Sequence, residues 1–463
     1  MKKSFIIILT SVVSFCFGAT YTLDQAIEVA LENNPDIKLM QETLKESQAK
    51  VSEAYGNAWP SLNLSAQYQR AFDQFSAFSG GGDSDENPFV NSGVFMDPTS
   101  PMFSAPTAAL AQDLGGMMDF SSLTKDYTTA IQFELQQVLY AQGKISTGVS
   151  IAKKFDQITR DGINVTQAAL RSEITQSFNQ ILYFKAAIDL YEKSIELANN
   201  HLKIAEISLE NGLASEITVN RARLQIKDLE SDLDKMENDL RLAQNALLLQ
   251  MGMPWDPDVN FVGELTDPGS NPELPDTTFS TAISQRHEIK QLKSSEELQQ
   301  EVLKINRADY LPMLVAGASA GWISATNGAF DFDFQPDQKV YIAFQMNLFN
   351  GFQTREKMTQ SRTEIAKVRI QRDNAERGMR LQIEKEYTSV TDAIRRIGLR
   401  KETIDLAEQT LEMSEVAYNN GQATQMEFLD ASLNVRKAHL EHLEALQDFN
   451  NALVRLQLAT GNL

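Results

Sequence analysis

The chain has 463 residues, with 42 Lys plus Arg against 62 Asp plus Glu, and a formal net charge of -20 at pH 7. That acidity excludes nucleic acid as a partner, because a phosphate backbone would be repelled. Charged residues are 22% of the chain and prolines number only 13, which excludes wholesale disorder.

The first predicted element is an export signal over residues 1–19. Lys2 and Lys3 precede an apolar run from Phe5 to Phe15, and small Gly18 and Ala19 follow. That is the order of a signal peptide, with cleavage after Gly18 or Ala19. The run is too short for a comfortable membrane span. The only cysteine, Cys16, lies inside it, so the mature chain carries no thiol, no disulfide and no Cys-ligated metal. Bulky Phe15 stands where lipid attachment at Cys16 would want a small residue. No later stretch reaches about eighteen apolar residues, so a membrane could be crossed only by strands of a closed barrel.

The rest of the chain reads as an internal tandem repeat. Asn34-Pro35-Asp36-Ile37 aligns with Arg286-His287-Glu288-Ile289, and Trp59-Pro60 with Leu311-Pro312, at an offset of 252. Leu139-Tyr140 aligns with Leu348-Phe349 at an offset of 209, which holds to Met251-Gly252 on Thr460-Gly461. The offsets differ by 43, so the first copy carries a 43-residue insertion between Pro60 and Leu139. The expected organisation is a first repeat over 20–252, a proline-rich linker over 253–276 and a second repeat over 277–463.

Each copy opens with a helix, Leu39 to Ala58 and Leu292 to Ala308, ended at a proline that disfavours helix before it. A β-hairpin follows, about 60–139 in the first copy and about 311–348 in the second. Leu62, Leu64, Ala66 and Tyr68 alternate with polar residues, as do Ile131, Phe133 and Leu135. Leu314, Ala316, Ala318, Ala320 and Trp322 repeat the pattern, then Val340, Ile342, Phe344, Met346 and Leu348. An apolar face backed by a wettable one suits a barrel wall around a polar lumen, though a soluble sandwich alternates similarly. The hairpin loop of the first copy, 73–125, holds the insertion and is expected to face outside. Its Met96, Met102, Met117 and Met118 lack metal-site spacing and read as gap-fillers.

Helical hairpins follow over 143–252 and 351–463. Gly143 to Asn211 and Gly351 to Asn420 contain no proline. About 70 residues at ~1.5 Å each give on the order of 100 Å of helix, longer than a globular domain needs. Leu229, Leu233, Met236, Leu240, Ala243 and Leu247 form a coiled-coil seam on the return helix. Asn211-Gly212 and Asn420-Gly421 supply the left-handed residues that stop a helix and reverse the chain. His439 and His442 share one helix face and read as solvated rather than as a metal site.

Four strands cannot close a barrel, so the protomer must oligomerise. Roughly 12 strands from three copies would leave an aqueous lumen, since about eight already fill with side chains. The fold class is therefore a mixed membrane α/β protein. Each protomer gives four strands to a trimeric 12-stranded transmembrane β-barrel, continued by a long periplasmic α-helical barrel.

These features resemble the TolC family of outer-membrane efflux and secretion channels over essentially the whole mature chain. The residues carrying the likeness are Leu23-Asp24-Gln25-Ala26-Ile27, Asn33-Asn34-Pro35, Trp59-Pro60-Ser61-Leu62, Leu348-Phe349-Asn350-Gly351 and both glycine-bearing tips. The resemblance implies a homotrimer in outer-membrane lipid, working with a periplasmic adaptor protein and an inner-membrane pump of RND, MFS or ABC type. It implies adaptor contact at Gly212, Leu213 and Gly421, and a periplasmic gate with an acidic ring at Glu427 and Asp430 beside Tyr418. Six such carboxylates near a three-fold axis could bind cations. A plainer reading of Glu427 is a capping box with Thr424. The family's closing links, an arginine after the second-tip glycine and an aspartate beyond the first tip, are replaced by Ala423 and Thr218. The resemblance implies that the linker packs around the middle of the tunnel.

The function expected is a passive exit duct of a tripartite efflux pump or type I secretion system. The alternative is a periplasmic structural coiled coil without a pore. No enzyme motif, cofactor site or metal site is evident.

Overall fold

The computed structural model describes residues 20–70, 125–212, 214–256, 258–269 and 279–463. The expected signal segment and nearly all of the expected outer loop lie outside them. The elements in chain order are β1 (Thr20–Tyr21), α1 (Leu23–Asn33), α2 (Pro35–Gly56), β2 (Ser61–Arg70), β3 (Tyr127–Tyr140), α3 (Lys144–Glu210), α4 (Glu216–Gln250), β4 (Asn260–Phe261), α5 (Phe279–Gln285), α6 (His287–Ala308), β5 (Met313–Thr326), β6 (Gln335–Gln345), α7 (Gln353–Asn419) and α8 (Gln425–Thr460). They fall into two units. A sheet unit comprises Val51–Ile151 and Glu301–Ser361, and a helical unit holds the remainder.

In the sheet unit, alternation along each strand becomes a two-faced sheet. The order is β2-β3-β5-β6, every neighbour antiparallel. Register aligns the apolar positions across all four strands. Leu62, Leu135, Ala318 and Val340 form one row, and Ala66, Ile131, Trp322 and Pro336 another. The row of opposite parity is Asn63, Glu134, Ser319 and Lys339. The apolar face is exposed, Leu62 to 67% and Val340 to 86%, whereas the polar face is covered on the inner strand β5, where Ser319 is 7% exposed, and open at the edge residues Asn63 and Lys339. That inverts the order of a sheet folded in water, where the apolar face is covered.

Two glycines of β5 allow this packing. A Cβ at Gly317 would sit 2.3 Å from the Tyr341 ring, and one at Gly321 only 2.1 Å from the Ile131 carbonyl oxygen. The Tyr341 hydroxyl donates to Glu134 Oε1 at 2.9 Å. Strand β6 ends at Gln345, earlier than the alternation through Leu348 suggests. Met346 and Leu348 lie in the turn into α7, where Gly351 and Phe352 are both left-handed, at φ 64°. A strand cannot continue through such a reversal. Edge strands β2 and β6 each pair with only one neighbour among the described residues.

In the helical unit, α3 and α7 are each 67 residues long. The helices expected over Leu39–Ala58 and Leu292–Ala308 run Pro35–Gly56 and His287–Ala308, and neither comes first: the short helices α1 and α5 precede them, too brief for their apolar period to stand out in the sequence. Asn34 caps α2, its Oδ1 accepting from the main chain of Asp36 at 2.8 Å. Positions at the offsets of 252 and 209 are buried together: Ile37 and Ile289, Ile181 and Val390, Leu247 and Leu456, all at 0% exposure. Leu229 and Leu247 of the coiled-coil seam are buried, and Leu240 and Ala243 pack against the core. A two-residue parallel pair, β1 with β4, was not legible in the sequence. It brings Phe261 of the linker under Tyr21 and edge-on to Phe178, ring centroids 5.9 Å apart. Asn450 Nδ2 donates to Thr266 O at 2.9 Å, and Lys401 pairs with Asp267 at 2.6 Å, fastening the linker to α8 and α7.

Candidate functional site

Both helix-reversal tips have the same backbone geometry. Gly212 has φ 69° and Gly421 φ 72°, the left-handed conformation that costs an L side chain. The main-chain amide of Gly212 donates to Leu209 O at 2.9 Å, and that of Gly421 to Tyr418 O at 3.0 Å. Ala214 and Ala423 each close their turn on a carbonyl six residues back, Ser208 and Ala417, both at 3.2 Å. Leu213 lies outside the described residues.

At the second tip the capping box is formed. The Thr424 amide donates to Glu427 Oε2 at 2.7 Å, and the Glu427 amide to Thr424 Oγ1 at 3.3 Å. The Thr424 amide, with help from its hydroxyl, holds the Glu427 carboxyl below its ordinary range. Glu427 therefore has a helix-starting role whatever else it does. Asp430, one turn further along α8, is also exposed. Tyr418 does not turn toward the acidic pair; its ring stacks on buried Phe428, centroids 5.9 Å apart.

The two tips are joined. Gln425 Nε2 donates to the Thr218 main-chain oxygen at 2.8 Å, tying the start of α8 to the first turn of α4. The link ends on the Thr218 carbonyl, so the side chain at that position gives no sign of it. Below that link a small cavity is lined by His201, Gln225, Tyr418, Gln425, Phe428 and Ser432 among others. The His201 ring lies 4.0 Å from that of Phe428, and its buried Nε2 has no hydrogen-bond partner. Burial pushes the imidazole below its ordinary pKa, with Glu415 acting weakly in the opposite direction.

No group of three or more His, Cys, Asp or Glu able to hold a metal occurs among the described residues. His439 pairs with Glu408 at 2.9 Å. His442, expected on a solvated face, is half-buried, and its Nδ1 lacks a partner. Burial and the nearby Lys401 charge lower its pKa, with Asp267 opposing them, a neighbourhood that helix periodicity does not reveal.

The outer membrane efflux protein family matches residues 26–253 and 278–462. The chain belongs to that family. It is a family of outer-membrane channels rather than of enzymes. The Escherichia coli O157:H7 cation efflux system protein CusC is 22% identical over 336 residues, 68% of either chain. Among solved structures, the outer membrane protein VceC of Vibrio cholerae matches with a TM-score of 0.70 at 17% identity, over 95% of this chain and 96% of that one. CusC matches with a TM-score of 0.73 at 14% identity, over 95% and 92%. The Campylobacter jejuni CmeC outer membrane channel matches with 0.72 at 14%, over 95% and 85%. The fold is thus that of the TolC-like efflux channels, and this protein is an outer-membrane component of efflux.

Proposed function

We propose that this chain is the exit duct of a tripartite efflux pump or type I secretion system and conducts passively. The observation that carries the reading is the inverted sheet. Its apolar face is exposed on all four strands in register, which is stable against lipid and not against water. Its two free edges, β2 and β6, run in opposite directions, so β6 of one copy can continue onto β2 of the next as another antiparallel pair. Three copies close a barrel of roughly 12 strands around a lumen lined by the Asn63, Glu134, Ser319 and Lys339 row. Tandem duplication is supported by paired burial and matching turn bonds at the offsets of 252 and 209.

The helical part is periplasmic in this reading. Gly212, Leu213 and Gly421 meet a periplasmic adaptor protein, which links the duct to an inner-membrane pump of RND, MFS or ABC class. Glu427 and Asp430 form the acidic ring of the entrance. The Gln425–Thr218 link stands in for the closing links that Ala423 and Thr218 side chains cannot make. An N-terminal signal peptide over 1–19 directs export.

The test is isolation of the native protein. A detergent-requiring, heat-modifiable trimer in the outer-membrane fraction, conducting in planar bilayers, supports the duct. A soluble periplasmic protein without conductance supports the structural coiled coil instead.

A further inference from the structure

The tip cavity contains a group that no part of the channel reading uses. His201 on α3 carries a buried nitrogen without a partner, packed on the Phe428 ring of α8. Gln425, whose amide joins the tips, lines the same cavity. Phe428 also stacks on Tyr418 of α7. One imidazole therefore touches the packing that holds α7 and α8 against α3 and α4.

We propose that His201 makes the union of the two helical tips acid-sensitive: neutral, it seats Phe428 and leaves the Gln425–Thr218 link intact; protonated, it loosens both. The inference rests on the channel reading only for its consequence, a wider entrance in acid.

The surroundings favour the neutral ring. Protonation makes both ring nitrogens donors, and a buried N–H without an acceptor is costly. The facing groups are few. From α7 come Glu415 and Tyr418; from α4, Ala222 and Gln225; from α8, Gln425, Phe428, Leu429 and Ser432. Glu415 alone among these is charged near neutrality, and its attraction for the imidazolium is outweighed by burial. Gln425 and Ser432 offer oxygens that a protonated ring could recruit by moving, and recruiting Gln425 disturbs its hold on Thr218. The sign follows. The packed-state pKa is lowered from 6.5, so the union is fully stable above about 6.5 and weakens as pH falls below it.

The experiment places spin labels at Asn211→Cys and Asn420→Cys, one on each tip, in the full chain with Cys16→Ser. Labelled chains are diluted into unlabelled ones, and the inter-tip distance is read at pH 7.5 and 5.5. The expected result is a longer or broader distribution at pH 5.5 that is absent in His201→Phe and His201→Gln, both neutral throughout. Glu415→Gln removes the one attraction that favours the imidazolium in the packed state, so loosening at pH 5.5 should be greater than in wild type. A wild-type distribution unchanged with pH, or the same change in both His201 variants, overturns the proposal. Planar-bilayer current is measured on the same samples. Acid-dependent tip separation without any current supports the acid-sensitive union and counts against the channel reading.

Discussion

Asn34 Nδ2 donates to the main-chain oxygen of Gln250 at 2.7 Å. Arg286, 252 positions on, reaches Ala459 O, 209 positions beyond Gln250, from Nη1 at 3.0 Å, so an amide holds one carbonyl and a guanidinium the other. Both side chains are buried, Asn34 7% exposed and Arg286 8%. The first ties the end of α4 to the start of α2, and the second ties the end of α8 to the start of α6. Asn34→Ala should destabilise the fold by about 1–3 kcal/mol, the cost of leaving a buried partner unmade. Urea unfolding in detergent, followed by circular dichroism, measures it.

Arg286 does more, because it also grips Glu288 at 2.7 Å. Burial works to raise the Glu288 carboxyl, but the Arg286 bonds and charge outweigh it and leave the net shift downward from 4.5. A depressed carboxylate stabilises the fold above its unfolded pKa, and that gain is lost as pH falls through the folded value. Arg286→Met should therefore be strongly destabilising at pH 7 and progressively less different from wild type below about pH 4.5. Tm difference against pH is the readout.

The glycines divide by what surrounds them. A Cβ at Gly252 would lie 2.3 Å from the Asn33 carbonyl oxygen, whereas one at Gly212 meets nothing within 4 Å. Both have positive φ. Gly212→Ala should cost only about 1 kcal/mol of backbone strain. Gly252→Ala adds a clash with main chain that cannot move aside, and a several-fold larger loss is expected. Thermal melts of the two variants rank them.

In the sheet, Gly317→Ala collides with the Tyr341 side chain and Gly321→Ala with the Ile131 main chain. Tyr341→Ser should rescue the first variant and leave the second defective. Recovery of folded protein from membranes reports the rescue, and equal recovery of both would contradict the packing described.

The tip variants separate capping from conductance. Glu427→Ala should lower Tm by opening the capping box at the start of α8, and Asp430→Ala should lower it less. The double variant should weaken cation block of single-channel current; unchanged block would remove the acidic pair from the entrance. Gln425→Ala should raise closed-state conductance without lowering Tm appreciably, since its lost bond is partly exposed and worth about 1 kcal/mol.

Much of this architecture is written locally. Alternating strands, proline-free helices and Asn-Gly reversals depend on periods of two and 3.6 residues and on backbone freedom, all visible within a short window. The capping box of Thr424 and Glu427 was readable for the same reason. Family membership rests on the order of those windows along the chain.

The rest required tertiary structure. Which face of the sheet is exposed cannot be told from alternation, because a sandwich and a barrel wall share it. The Gln425–Thr218 link ends on a main-chain oxygen, which every residue possesses and no side chain announces. In the sequence His201 is one of four histidines, with no neighbouring ligand or partner to single it out. Its meaning came from Phe428, which sits 227 positions away in the chain and whose ring is brought 4.0 Å from the imidazole only by the packing of two hairpins. Local periodicity chose the elements; burial and long-range contact decided what their side chains do.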